Sequence, residues 1–217
     1  MPVALLEWYA ALGLHINEGY GMTENLALSH LTLPGKNQRG TVGPAYEGVQ
    51  VRIDATTGEL QMRSPAVMLG YYKAPEQTRD SFTEDGWLKT GDAGSLDEDG
   101  YLYIQDRLKD MIISGGENVY PAEVENALYA NPKVADVAVI GVPDEKWGEA
   151  VKACVVLKKG ETLTEAELIA DARQRIAGFK CPKSIDFIEA LPRNPSGKIL
   201  RKDLRAPYWE GKDRAVN

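Results

Sequence analysis

Apolar and polar residues alternate in short runs through the first half of the chain. Val49, Val51 and Ile53 form one such run and Leu60 and Met62 another; a period of two marks a strand with one buried face. Gly58, Gly70, Gly86 and Gly100 punctuate residues 40–106, and Asp97-Glu98-Asp99-Gly100 stands as a hairpin turn between two strand-like segments. Ahead of this region, Leu5, Leu6, Tyr9 and Leu12 recur at helical spacing, which predicts a short amphipathic helix over residues 2–12 stopped by Gly13.

After Arg107 the pattern changes. Pro121 begins a predicted helix whose early carboxylates, Glu123 and Glu125, face the positive helix end. It stops before Pro132, because a residue preceding proline avoids the α region. Apolar runs over residues 134–142 and 150–157 read as strands. Thr164 and Glu167 stand at capping-box spacing and open a second helix with Leu168, Ile169, Ala172 and Ile176 on one face, closed by Gly178. The expected fold class is α+β. A turn-rich antiparallel β unit fills residues 1–107, and a small domain of order hairpin, helix, strand, strand, helix, strand fills residues 108–217. The border falls in Arg107-Leu108-Lys109-Asp110, and no internal repeat is visible.

Composition narrows the function classes. The chain has 217 residues, 43% hydrophobic and 26% charged, which is ordinary globular usage and excludes a disordered or collagen-like protein. Its 25 basic and 32 acidic residues give a net charge of −7, a balance that repels a phosphate backbone, so no nucleic-acid partner is expected. Cys154 and Cys181 are the two cysteines and lack C-x-x-C spacing, so a reducing compartment is expected. The first residues carry no basic leader and no apolar run reaches membrane-spanning length. A cytoplasmic protein with no transmembrane segment is the expectation. His15 and His30 have no companion at metal-ligand spacing.

Four clusters carry chemistry. In Glu18-Gly19-Tyr20-Gly21-Met22-Thr23-Glu24, glycines around a tyrosine allow close approach of a ligand, and a hydroxyl beside a carboxylate suits a phosphate oxygen and Mg²⁺; taken alone, it reads first as a Gly-rich turn before a strand or helix. In Gly86-Trp87-Leu88-Lys89-Thr90-Gly91-Asp92, Asp92 is an acceptor-only group fit for a ribose diol, or an ordinary surface-turn aspartate. The stretch from Asp106 to Pro121 offers the planar fork of Arg107 and a double glycine, Gly115-Gly116, beside Glu117 and Asn118. A surface ion-pair run leading into a hairpin accounts for its charges but not for the glycines. In Pro192-Arg193-Asn194-Pro195-Ser196-Gly197-Lys198-Ile199, a stiff loop presents Lys198, which can neutralise charge on a phosphoryl group in transfer. It is not a Walker loop, since Ile199 stands where Ser or Thr is required. The surrounding basic cluster of Arg193, Lys198, Arg201, Lys202 and Arg205 otherwise reads as a solvated face.

In this order and spacing, the four clusters resemble the C-terminal part of the adenylate-forming (ANL) superfamily of acyl-CoA synthetases, luciferases and peptide-synthetase adenylation domains. The likeness runs over residues 19–204 and is strongest to fatty-acyl and aromatic-acyl CoA ligases. The resemblance implies an enzyme that joins a fatty or aromatic carboxylic acid to ATP as acyl-AMP and then transfers the acyl group to coenzyme A. By motif match, Thr23 would touch the α-phosphate, Glu24 would bind Mg²⁺, and Asp92 and Arg107 would hold the ribose. Lys109 would be the hinge, Gly115 and Gly116 would line the pantetheine path with Asn118 near the nucleotide, and Lys198 would be the adenylation lysine. The family's Ser/Thr/Gly-rich phosphate loop and most of its acyl pocket are absent, so the implied partner includes a missing N-terminal portion of the same enzyme and this chain alone is expected to be inactive. A peptide-synthetase module and a non-catalytic nucleotide- or CoA-binding remnant are the alternatives.

Overall fold

The computed structural model describes residues 3–211. They form two compact units that meet between Leu108 and Lys109, and the class is α+β as expected.

The first unit begins with helix α1 (Val3–Ala11); Pro2, its expected first residue, lies outside the described residues. The helix is not amphipathic in the predicted sense. Leu6 is buried, but Leu5, Trp8 and Leu12 are 41%, 56% and 59% exposed, so apolar residues lie all around it and spacing alone could not pick a buried stripe. Short strands β1 (Gly19–Tyr20) and β2 (His30–Leu31) pair antiparallel. The main sheet follows as β3 (Gln50–Ile53), β4 (Glu59–Arg63), β5 (Leu88–Leu96) and β6 (Leu102–Arg107), in sequential antiparallel order. Helix α2 (Pro75–Asp80), which no periodicity announced, lies between β4 and β5. One face of this sheet is covered: Leu60, Met62, Leu88 and Leu102 are buried, with Tyr20, Met22, Val51 and Ile53 packed against them. The Asp97–Gly100 turn joins β5 to β6 as its composition requires, the Asp97 carboxylate accepting from the Asp99 and Tyr101 amides.

The second unit carries hairpin β7 (Ile112–Ser114) and β8 (Glu117–Val119), helix α3 (Pro121–Tyr129), strands β9 (Val134–Asp144) and β10 (Gly148–Leu157), helix α4 (Glu165–Ala172), strand β11 (Ser184–Phe187) and helix α5 (Arg201–Trp209). The β9–β10 pair is antiparallel, β11 joins β10 in parallel, and β7 meets β10 at Ser114 and Gly148. Both faces of β9–β10 are covered. Val137, Val139, Val151, Ala153 and Val155 face Val124, Leu128, Leu168 and Ala172, while Ala138, Ile140 and Cys154 face Leu191, Leu204 and Tyr208. Two covered faces explain why these strands read as unbroken apolar runs.

Thr164 and Glu167 form the expected capping box. Helix α4 nevertheless ends at Ala172 rather than at Gly178: the next turn tightens, with the Gln174 and Arg175 amides donating three residues back to Asp171 and Ala172. Helix α5 was not legible, since it contains Pro207 and buries no residue fully. Polar ties hold it: Arg201 forks onto Glu125 at 2.8 Å, Arg205 reaches the buried Asp110 at 2.9 Å, and Tyr208 donates to Asp186 at 2.6 Å. Among the described residues no helix is long and apolar enough to cross a membrane.

His30 is buried in the first unit, its Nδ1 sharing a hydrogen bond with Ser29 Oγ at 2.7 Å. Burial pushes its pKa from 6.5 down to about 4. Between those values the unfolded chain binds a proton that the folded chain refuses, so stability falls as pH drops through that window. The expected loss is on the order of 2 kcal/mol. Urea melts of the chain between pH 7 and pH 4 measure it, and His30→Gln, which cannot titrate, is expected to flatten the dependence.

Candidate functional site

Within the first unit the chain gathers one hydroxyl-rich group of residues. Thr23, Glu24 and Asn25 form a single 3₁₀ turn, closed by Asn25 Oδ1 accepting from the Met22 amide at 2.9 Å. Gly21 must be glycine, because a Cβ there would lie 2.4 Å from Ala27 Cα. The turn leaves Thr23 exposed and Glu24 half-buried. Tyr71 donates to Glu24 Oε1 at 2.6 Å, and the Glu24 carbonyl accepts from the Met68 amide at 2.7 Å. The Tyr71–Glu24 bond holds the phenol above its ordinary pKa, so Tyr71 stays a donor at neutral pH and leaves Oε2 of Glu24 for a ligand.

Asp92 lies in strand β5, not in a surface turn. It is half-buried and stands opposite Arg107 across the β5–β6 ladder. The Tyr20 hydroxyl donates to Asp92 Oδ2 at 2.6 Å, and burial first, then this bond, pushes the Tyr20 phenol far above its usual range. A permanently protonated phenol therefore fixes one carboxylate oxygen and leaves the other to accept. The Asp92 amide is held by Thr90 Oγ1 at 3.1 Å, and that hydroxyl donates to Leu60 O at 2.7 Å. Asp92 and Tyr20 thus meet beside Arg107, where β6 ends along β5.

The other predicted residues belong to the second unit. Lys109 is exposed in a 3₁₀ turn (Leu108–Asp110) where the two units meet. Gly115 and Gly116 form the tip of the β7–β8 hairpin, both at positive φ. The Gly115 amide donates to Trp147 O at 2.8 Å, and a Cβ on Gly115 would lie 2.7 Å from the Trp147 ring. That ring is 40% exposed and has Lys146 and Lys183 ammonium groups at 4.6 and 5.7 Å from its centre. Asn118 is exposed on β8 opposite Ile113.

Lys198 ends an exposed loop closed on itself. Asn194 Oδ1 accepts from the Lys198 amide at 2.8 Å, and the Asn194 amide donates to Lys198 O at 2.9 Å. Arg193 ties this loop to Asp136 at the start of β9, whereas the Gly115 tip is tied to Trp147 just past the end of β9. From Asp136 to Asp144 is roughly 26 Å of strand at about 3.3 Å per residue. The lysine and the double glycine therefore stand at opposite ends of the long β9–β10 ladder.

Sequence reasoning named Tyr20 without a role and passed over Tyr71, Trp147 and Asp136. Tyr71 and Asp136 gave no local signal, since each meets its partner only after the chain has folded back.

Residues 1–72 match the family model described as AMP-binding enzyme, and residues 123–198 match that of the AMP-binding enzyme C-terminal domain. Together these two matches place the chain among the AMP-binding enzymes. It is 46% identical over 218 residues to the long-chain-fatty-acid–CoA ligase FadD13 of Mycobacterium tuberculosis, covering 96% of this chain and 43% of that protein. It is 54% identical over 209 residues to a bicyclic propanoyl:CoA ligase of Rhodococcus jostii, covering 94% and 40%. Among solved structures, o-succinylbenzoate CoA synthetase of Bacillus subtilis in complex with its acyl-adenylate intermediate gives a TM-score of 0.86 at 37% identity, over 94% of this chain and 43% of that one. ATP-bound MatB of Rhodopseudomonas palustris gives 0.85 at 41% identity, over 93% and 42%. The chain spans less than half the length of these proteins.

Proposed function

We propose that this chain is the C-terminal part of an AMP-forming acid–CoA ligase acting on a fatty or aromatic acid. Residues 1–107 would complete a large AMP-binding domain, and residues 108–217 would be its mobile C-terminal domain, turning at Lys109. The observation that carries the reading is the separation of Lys198 from Gly115-Gly116 along one rigid ladder. Two devices at opposite ends of one domain suit two successive half-reactions.

In the first, a carboxylate oxygen attacks the α-phosphorus of ATP and pyrophosphate leaves. Lys198 would balance the negative charge shared by carboxylate and phosphoryl oxygens, an interaction strongest in the transition state. Thr23 would donate to the α-phosphate. Asp92, with Oδ2 held by Tyr20, would accept from the ribose hydroxyls, and Arg107 would reach the same sugar. Glu24 has an uncommitted Oε2 and, among the described residues, no cluster of three potential metal ligands surrounds it. A single carboxylate fits Mg²⁺, which keeps several waters and shares substrate phosphate oxygens. When bound, Mg²⁺ would supply charge neutralisation at those phosphates.

In the second, the coenzyme A sulfur attacks the acyl carbon and AMP departs. Glycine at the hairpin tip leaves a bare backbone edge beside Trp147, along which a thin pantetheine arm would run, with Asn118 on the following strand toward the nucleotide. Two buried free thiols, Cys154 and Cys181, accord with a cytoplasmic setting.

The first test is ATP–pyrophosphate exchange. The 217-residue chain alone is expected to show none with any fatty or aromatic acid, because it lacks the Ser/Thr/Gly-rich loop for the β- and γ-phosphates. A complete ligase ending in this chain is expected to exchange. Robust exchange by the chain alone contradicts the reading. Absence of acid-dependent exchange in the complete protein, with AMP or CoA still bound in calorimetry, replaces it with a binding remnant.

A further inference from the structure

Arg193 was first counted as part of a solvated basic face, but its guanidinium is occupied on two sides. Nη1 donates to the carbonyl of Gly197, the residue before Lys198, at 2.5 Å. Nη2 donates to Asp136 Oδ2, also at 2.5 Å. The remaining Asp136 oxygen accepts from the Val137 amide at 3.0 Å, so the carboxylate is itself fixed to strand β9. Asp136 lies 57 residues before Arg193 and belongs to none of the four motifs.

We propose that the Asp136–Arg193 pair is a brace that sets the position of Lys198, making both residues positioning residues for the acyl-adenylation step. The inference rests on the reading of Lys198 given above. The remaining hydrogen bonds of the loop are local: Asn194 accepts from the Gly197 and Lys198 amides, and Ser196 Oγ donates to Asn194 Oδ1. At the loop's base Ile199 bridges back to Arg193 and packs on the Ala138, Ile140 and Cys154 cluster. These contacts fix the loop's internal shape and its base, and they leave the tip ahead of Lys198 free to tilt. Among the described residues, the side-chain hydrogen bonds that join the tip of this exposed loop to the sheet run through Arg193. Surface ion pairs contribute little to overall stability. A small tilt at a catalytic group, by contrast, has a large effect on rate, since orientation within an ångström governs transfer. The brace therefore matters to chemistry and hardly to folding. Arginine suits this task because one planar fork serves a carboxylate and a carbonyl together.

The test compares Arg193→Gln, Arg193→Lys and Asp136→Asn. In a complete ligase ending in this chain, Arg193→Gln and Asp136→Asn are each expected to lower the kcat of acyl-AMP formation by about 5–20-fold, within the range that misplacement of a catalytic group produces. KM for ATP and acid should stay within about twofold, and thiolysis of supplied acyl-AMP should be unchanged. Arg193→Lys, which keeps the charge and loses the fork, should fall between. In the 217-residue chain itself, hydrogen exchange at the Gly197 and Lys198 amides should quicken by about tenfold in both neutral variants while the melting temperature holds.

Wild-type adenylation in Asp136→Asn alongside a strong loss in Arg193→Gln overturns the brace, because Arg193 would then act on substrate directly. Unchanged exchange at those two amides also overturns it, as does an equal loss of both half-reactions. Lys198→Ala separates the two levels of the account. If that variant still adenylates, the role of Lys198 falls, and amide exchange continues to judge the brace.

Discussion

Lys198→Ala in a complete ligase ending in this chain is expected to slow acyl-AMP formation by about 10²–10³-fold, the size of effect seen when a preorganised charge partner of a transition state is removed. Thiolysis of acyl-AMP supplied from outside should proceed at close to the wild-type rate. The asymmetry follows from position. Lys198 sits at the Asp136 end of the β9–β10 ladder, far from the Gly115 tip, so its loss empties one device and leaves the other intact. Stability should hardly change, because Lys198 is exposed and its loop is closed by backbone and Asn194 bonds that do not use the side chain. Single-turnover pyrophosphate release with excess enzyme measures the first half-reaction. Loss of free acyl-AMP on mixing with coenzyme A measures the second.

Gly115→Ala is expected to do the reverse. At φ +64 a non-glycine residue is strained, and its Cβ would sit 2.7 Å from Cε3 and 3.1 Å from Cζ3 of Trp147. The backbone term alone costs about 1 kcal/mol. The ring is partly exposed and can yield, so the domain should still fold with its hairpin tip displaced from Trp147. Thiolysis is expected to fall by about 10–100-fold, in keeping with the sensitivity of transfer to ångström-scale misplacement. Adenylation should stay within about twofold. Gly116→Ala is the matched control: it has φ +86 but nothing within 4 Å of its added Cβ, so it carries backbone strain without the collision and should be the milder variant.

Much of the fold was legible because its signals are local. The Asp97–Gly100 turn, the Pro121 helix start and the Thr164–Glu167 box each satisfy their own backbone within a few residues. Strands β9 and β10 were legible from apolar runs, although only the structure shows the two covered faces that make the runs continuous. What escaped has non-local causes. Helix α5 is held by Arg201, Arg205 and Tyr208 reaching Glu125, Asp110 and Asp186 across the domain, and its own sequence, interrupted by Pro207, argues against a helix. Helix α1 carries apolar residues on every side, so spacing could not tell buried Leu6 from exposed Trp8.

The candidate site divides in the same way. Thr23, Glu24, Asp92, Gly115, Gly116 and Lys198 could be named from motif order, because their backbone needs are written next to them. The residues that hold them could not. Tyr71 reaches Glu24 across 47 positions and Tyr20 reaches Asp92 across 72. No window along the chain contains both members of either pair. Arg193 looked like one charge among several until its carboxylate partner came from another strand.

The most direct measurement of the central claim sets pyrophosphate exchange and acyl-AMP thiolysis side by side for Lys198→Ala and Gly115→Ala in one complete ligase. The account predicts a crossed result: exchange lost and thiolysis kept in the first variant, thiolysis lost and exchange kept in the second. Parallel loss of both activities in both variants would mean that the two ends of the β9–β10 ladder serve a single step, and the division of labour proposed for this domain would be wrong.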